Sequence, residues 1–86
     1  MLVFEDYEKA KARGARIYAE VLGYALNNDA CHMTSPAPDG ECVMAVMCAA
    51  LKDAHRQPRD IGYINAHASS TQVNDANEVM CISTVF

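Results

Sequence analysis

The chain has 86 residues, of which 51% are apolar and 21% charged, and its net charge is −4. This is one small domain or part of a larger one. A chain so short hides only about 60–65% of its unfolded surface on folding, so this apolar content points to a fragment whose partners lie elsewhere. No basic run is interleaved with aromatic residues, which excludes non-specific nucleic-acid binding. No stretch approaches the ~20 apolar residues of a membrane helix. Three acids within the first eight residues, Glu5, Asp6 and Glu8, argue against a signal or transit peptide. The expected setting is intracellular, cytoplasmic or organellar. Cys31, Cys42, Cys48 and Cys81 form no C-x-x-C pair and are expected as free thiols.

Leu2 to Phe4 reads as the stump of a strand. Asp6 to Arg13 favours helix, with Gly14 at its C-terminal cap and Glu5 and Lys9 spaced for an i,i+4 pair. Arg16 to Tyr24 alternates as a strand, with Ile17, Ala19 and Val21 on one side and Tyr18, Glu20 and Leu22 on the other. Asn27 to Gly40 is a loop by composition, and Asp39 is placed to cap the helix that follows, over about 40–55. Val43, Met47, Ala50, Leu51 and Ala54 recur at helical spacing, and Met44, Val46 and Cys48 widen the apolar face almost all round. Such a helix is expected to be buried inside something larger. Asp60 to Ala66 reads as a buried parallel strand, 67–74 as a polar loop and 75–86 as a helix. Asp75 and Glu78 have capping-box spacing there, and Val79, Ile82 and Phe86 form its apolar stripe. Alternating strands and helices predict an α/β layered fold with a mostly parallel sheet, whose chemistry gathers beyond the carboxyl ends of strands.

His67 stands at such a place. Asn65, Ser69, Ser70, Thr71, Asn74 and Asp75 crowd hydroxyl, amide and carboxylate groups around its imidazole. A histidine satisfied by loop hydrogen bonds is the plainer reading, and turn and cap chemistry accounts for Asn74 and Asp75. A metal site from Cys31, His32, Cys42, Cys48 and His55 fits no zinc spacing. A Cys31–His67 hydrolase lacks any oxyanion or orienting signature. No metal or cofactor is expected.

The run Ile64-Asn65-Ala66-His67-Ala68-Ser69-Ser70-Thr71-Gln72-Val73-Asn74-Asp75 resembles the catalytic-histidine loop of the β-ketoacyl-acyl-carrier-protein synthases of the type II, long-chain elongating class. Residues 8–20 resemble that family's segment at the end of its N-terminal half, and residues 29–36 its linker into the C-terminal half. The resemblance implies an internal fragment of a thiolase-like fold. Residues 1–30 would end the N-terminal half, and 31–86 would start the C-terminal half, with the catalytic loop at 64–75. It implies decarboxylative condensation of a malonyl-carrier protein with an acyl thioester in fatty acid elongation, and a family homodimer. The implied partner is an acyl carrier protein bearing a phosphopantetheine thioester. His67 matches the first of the family's two active-site histidines, which donates an N–H to the thioester oxygen. Ser69 and Thr71 match hydroxyls that hold the phosphopantetheine arm.

The family's nucleophilic cysteine lies upstream in a Thr-Ala-Cys-Ala context, and no such run occurs here. Its second histidine, lysine and Gly-Phe-Gly-Gly loop belong downstream of Phe86. Ala68 stands for the commoner Gly, Ser69 for Thr and Gln72 for Pro. His55 and Arg56 stand where small residues are usual, and Ala25 and Asn28 replace glycines. The alternative to a catalytic piece is a non-catalytic copy acting, if at all, as an interaction module with an intact synthase. By itself the chain is expected to be inactive.

Overall fold

The computed structural model describes residues 2–86. It contains three α-helices, α1 (Tyr7–Ala12), α2 (Glu41–Asp53) and α3 (Gln72–Val85), and a 3-10 turn at Pro58–Asp60. Helix α1 starts where Asp6 accepts the Lys9 backbone N–H at 3.0 Å, a side-chain cap for an otherwise orphan donor. It ends at Gly14, whose φ of 71° is the left-handed conformation of a C-terminal cap. There Gly14 N–H donates to Lys11 O and Ala15 N–H to Ala10 O, both at 3.0 Å. Glu5 pairs not with Lys9 but with Arg13, at 2.6 Å across one side of the helix.

Gly40, with φ 66°, precedes α2 and offers no side-chain cap. Asp39 does part of that work, accepting the Glu41 N–H at 3.0 Å. At the other end His55 takes φ 52°. Its N–H donates to Lys52 O at 3.1 Å and that of Arg56 to Leu51 O at 2.9 Å, the paired bonds of a Schellman cap.

Helix α2 packs on α3, and the contact centres on Cys81, the one side chain among the described residues with no solvent exposure. The Cys81 thiol lies 3.6 Å from Gly40 O and 3.6 Å from Asn77 Oδ1. Asn77 Nδ2 donates to Ala37 O at 2.9 Å and Pro38 O at 3.2 Å. Helix α3 thereby holds the turn that launches α2. The approach depends on the missing side chain at Gly40: a Cβ there would run into Cys81 Sγ and stand 3.0 Å from Met80 Cε. Tyr24 N–H donates to Asp53 at 3.0 Å, and Asn27 Nδ2 to Cys42 O at 2.6 Å, tying the 24–27 segment along α2.

Three expectations are corrected. The strands expected at 16–24 and 61–66 do not form: the described residues contain helices and no strand. Alternation marks a segment as able to pair, but a strand exists only when a second backbone supplies the ladder, and residues 16–23 and 62–66 make no backbone–backbone hydrogen bond among the described residues. No parallel sheet is therefore formed among the described residues. Helix α2, expected to be enclosed, has no buried residue; Val43, Met44, Val46 and Met47 are half-buried. Helix α3 begins three residues before Asp75. Thr71, not Asp75, is its N-cap, with its hydroxyl accepting Asn74 N–H at 3.3 Å.

The dimensions agree with this openness. The radius of gyration is 15.9 Å, against about 12 Å for a compact domain of this length. The accessible surface is 7259 Å², against roughly 5,000 Å² for a folded monomer of this mass. Tyr18, Leu26 and Met33 are 84%, 88% and 93% exposed.

Candidate active site at the His67 loop

The loop between the 3-10 turn and α3 is built by contacts with the first two turns of α3. Thr71 caps the helix. Asp75 reaches back and accepts the Ser70 N–H at 3.1 Å. One turn further, Glu78 accepts the His67 N–H at 2.7 Å through one oxygen and the Ala68 N–H at 2.8 Å through the other. A carboxylate gripping two successive amides fixes both the position and the direction of the backbone from which the imidazole projects. The Ala68 and His67 amides, in that order of weight, hold the Glu78 carboxyl below its ordinary value, against a lesser opposition from burial and with the least contribution from the His67 charge.

Two loop residues sit in the left-handed region, Ala68 at φ 46° and Ser70 at φ 64°. Alanine gains nothing from this conformation and glycine adopts it freely, so a Gly at position 68 would relieve the backbone there. Gln72 is the first residue of α3. Proline is favoured at this helical position because its missing N–H would be unpaired anyway.

His67 lies in the loop directly after 61–66 and is exposed. Ser69 Oγ and Thr71 Oγ1 stand 3.2 Å apart, so both expected hydroxyls share one side of the same turn. Asn65 is engaged elsewhere, accepting from the Tyr63 hydroxyl at 3.1 Å. Asn74 and Asp75 serve the helix start, as turn chemistry predicts. The Asn74 side-chain amide nitrogen is buried with no partner. Glu78 is the residue that sequence reasoning misassigned. It was expected to cap α3, but it lies seven positions after the N-cap, on the face that looks back at the loop.

Cys31 and Cys48 are exposed free thiols, and Cys42 is a half-buried one. Burial, and secondarily Asp39, pushes the Cys81 thiol up, away from the thiolate form. Among the described residues no group of three or more His, Cys, Asp or Glu is placed to hold a metal ion. Among the described residues no helix is long and apolar enough to cross a membrane.

The family model for the β-ketoacyl synthase C-terminal domain matches residues 18–86. The chain belongs to the β-ketoacyl synthase family. It is 51% identical over its whole length to 3-oxoacyl-[acyl-carrier-protein] synthase 2 of Staphylococcus aureus, of which it covers 21%. It is 48% identical to the mitochondrial 3-oxoacyl-[acyl-carrier-protein] synthase of Arabidopsis thaliana, of which it covers 19%. Among solved structures it resembles a type II polyketide ketosynthase in complex with its acyl-carrier protein and bound to a hexaketide. The TM-score there is 0.89 at 51% identity, over 94% of this chain and 20% of that one. A β-ketoacyl synthase from Burkholderia phymatum STM815 gives the same TM-score at 41% identity, over 95% of this chain and 20% of that one. The chain thus spans about a fifth of the length of these relatives, and its backbone takes the course seen in complete ketosynthases.

Proposed function

We propose that this chain provides the first active-site histidine and part of the thioester-arm site of a β-ketoacyl synthase acting in fatty acid elongation. The partner would be an acyl carrier protein with a phosphopantetheine thioester, within the dimer usual for the family and inside the cell. In the proposed reaction an acyl group is held as a thioester on a cysteine outside these residues. The malonyl thioester loses carbon dioxide, and its C–C bonding pair becomes an enolate. The enolate carbon attacks the acyl carbonyl and expels the cysteine thiolate. His67 donates an N–H to the malonyl thioester oxygen as charge grows there, a contribution that depends on the donor being fixed before the reaction. Ser69 and Thr71 line the path of the arm. Residues 1–30 would close the N-terminal half of the enzyme and 31–86 open the C-terminal half, although the family model extends toward the N-terminus as far as residue 18.

The observation that supports this reading best is the two-oxygen grip of Glu78 on the backbone of His67 and Ala68. It fixes the backbone from which the imidazole projects, in the same loop that holds the Ser69 and Thr71 hydroxyl pair.

The test is a chimera in which these 86 residues replace the matched segment of the S. aureus synthase. Malonyl-carrier protein and a labelled acyl donor should yield β-ketoacyl product, and His67→Ala should lower the rate at least 100-fold. The chain by itself should yield none. A His67→Ala chimera as active as its parent, or product from the lone chain above its His67→Ala control, would overturn the proposal.

A further inference from the structure

Asn77 is the one buried polar side chain among the described residues, with 8% of its surface exposed. Every polar atom of its carboxamide has a partner. Nδ2 donates to Ala37 O at 2.9 Å and to Pro38 O at 3.2 Å, and Oδ1 lies 3.6 Å from the Cys81 thiol. The two carbonyls stand 40 and 39 residues earlier in the chain. Burying a carboxamide is costly unless it is paired, and removing it would take a donor from both carbonyls. What the group adds beyond packing is direction, since two donors meet two successive carbonyls.

The Ala37 peptide is held from both sides. Its N–H donates to Asp29 Oδ2 at 2.7 Å, and its carbonyl accepts from Asn77 Nδ2 and also from Gly40 N–H, the latter at 3.1 Å. The turn before α2 is thus a fixed point. One residue step turns an α-helix by about 100°. Asn77 and Cys81 share the face of α3 that meets this turn. Asp75 and Glu78 share the neighbouring face, which meets the His67 loop. The same stretch of helix is clamped on two faces. The grip of Glu78 makes His67 travel with α3, and the carboxamide of Asn77 sets where α3 stands. Cys81 fills the space beside it, but a thiol is a weak hydrogen-bonding group, and two contacts at 3.6 Å set a distance without a register. All of these partners lie inside the 86 residues, so the lock does not depend on what surrounds the segment.

We infer that Asn77 is a positioning residue: its carboxamide registers α3 on the 37–40 turn and thereby places His67, held from the neighbouring helix face, for the proposed reaction. The inference rests on the proposed function in taking His67 as the group whose position counts.

The experiment uses the chimera in which these 86 residues stand in the S. aureus synthase. Asn77→Leu keeps the number and branching of the side-chain heavy atoms and removes both donors. A misplacement of about 1 Å costs a rate on the order of 100-fold, so kcat for condensation should fall about 10- to 100-fold. Transfer of the acyl group onto the enzyme's cysteine, in which the proposed mechanism gives His67 no part, should keep its rate per folded enzyme. A loss of folded protein alone would lower both steps together. Cys81→Ala removes packing from the same face and spares both carbonyl contacts, so it should lower the thermal unfolding midpoint and leave kcat in place. Asn77→Ala, which admits water to the two carbonyls, should repeat the loss of kcat if the leucine variant does not fold. Crystal structures of parent and variant should show α3 and the His67 loop displaced together from the 37–40 turn, with the Glu78 grip intact. The inference is overturned if condensation and acylation slow equally, if Cys81→Ala costs as much kcat as Asn77→Leu, or if α3 stands unmoved in the variant. It is also overturned if both Asn77 variants fail to fold while Cys81→Ala folds. A parent chimera without turnover whose α3 moves on substitution supports the inference and counts against the proposed function. An active parent whose Asn77→Leu variant keeps its kcat does the reverse.

Discussion

Replacing Gly40 with alanine tests whether α2 and α3 are joined through one close contact. Two costs act at the same residue. The backbone stands at φ 66°, where an L-residue loses about 1–2 kcal/mol relative to the right-handed region. The new Cβ would also overlap Cys81 Sγ and stand 3.0 Å from Met80 Cε. Overpacking of that kind costs about 1–3 kcal/mol. The two sum to about 2–5 kcal/mol, a large share of the 5–15 kcal/mol of a typical whole domain. Helices α2 and α3 are 13 and 14 residues long, so their separation should be visible as an earlier loss of helical circular dichroism in urea. Cys81→Ala removes the colliding sulfur. In the Gly40→Ala background it should recover about 1–3 kcal/mol, the steric share alone, and leave the backbone share in place. A Gly40→Ala midpoint shift worth less than about 1 kcal/mol would refute the close contact. Equal stability of Gly40→Ala with and without Cys81→Ala would refute its assignment to the sulfur.

Two further outcomes follow from the same geometry. His55→Gly should stabilise the chain by about 0.5–1 kcal/mol, because the left-handed C-terminal cap of α2 is filled by a residue with a Cβ; urea unfolding checks it, and any destabilisation contradicts the cap geometry. Because the Glu78 carboxyl is held below its ordinary value, its grip on the His67 loop should be complete above the ordinary glutamate range and be lost only as pH falls through the lowered folded value. The amide proton shifts of His67 and Ala68 should titrate there, and Glu78→Gln should abolish that titration; a midpoint at or above the ordinary value would contradict the grip.

The helices were legible where their signals are local. Asp6, Gly14 and the apolar recurrence from Val43 to Ala54 placed α1 and α2 to within one or two residues. The start of α3 was misread because Asp75 and Glu78 have capping-box spacing, yet Thr71 and Asn74 have the same separation and lie closer to the loop. Three residues fix either pair, and only the loop's path decides between them. The strands were legible as patterns and not as structures, since the alternation of Arg16 to Tyr24 says nothing about which backbone pairs with it. In the loop, the order of His67, Ser69 and Thr71 was readable. The role of Glu78 was not, because it follows from α3 turning a side chain backwards over two amides that lie ten and eleven residues earlier. The left-handed φ of Ala68 supplies a backbone reason for the glycine that the resemblance implies at this position.

The parts of this chain differ in how far they depend on the rest of the fold. The loop is coded locally: Ser70 to Asp75, Thr71 to Asn74, and Glu78 to His67 and Ala68 are all contacts within eleven residues of sequence. Its geometry is set by α3, and no strand takes part in it. The apolar segments at 16–23 and 62–66 have the opposite dependence, since no residue described here satisfies their backbones. A histidine placed by its own helix can therefore keep its position without a sheet beside it, whereas the proposed chemistry asks for more than position. In the proposed reaction that chemistry also needs an acyl-bearing thiolate and a second enolate-stabilising group, and catalytic groups that act as a unit do not compensate for one another. Placement of His67 and turnover are therefore separate quantities.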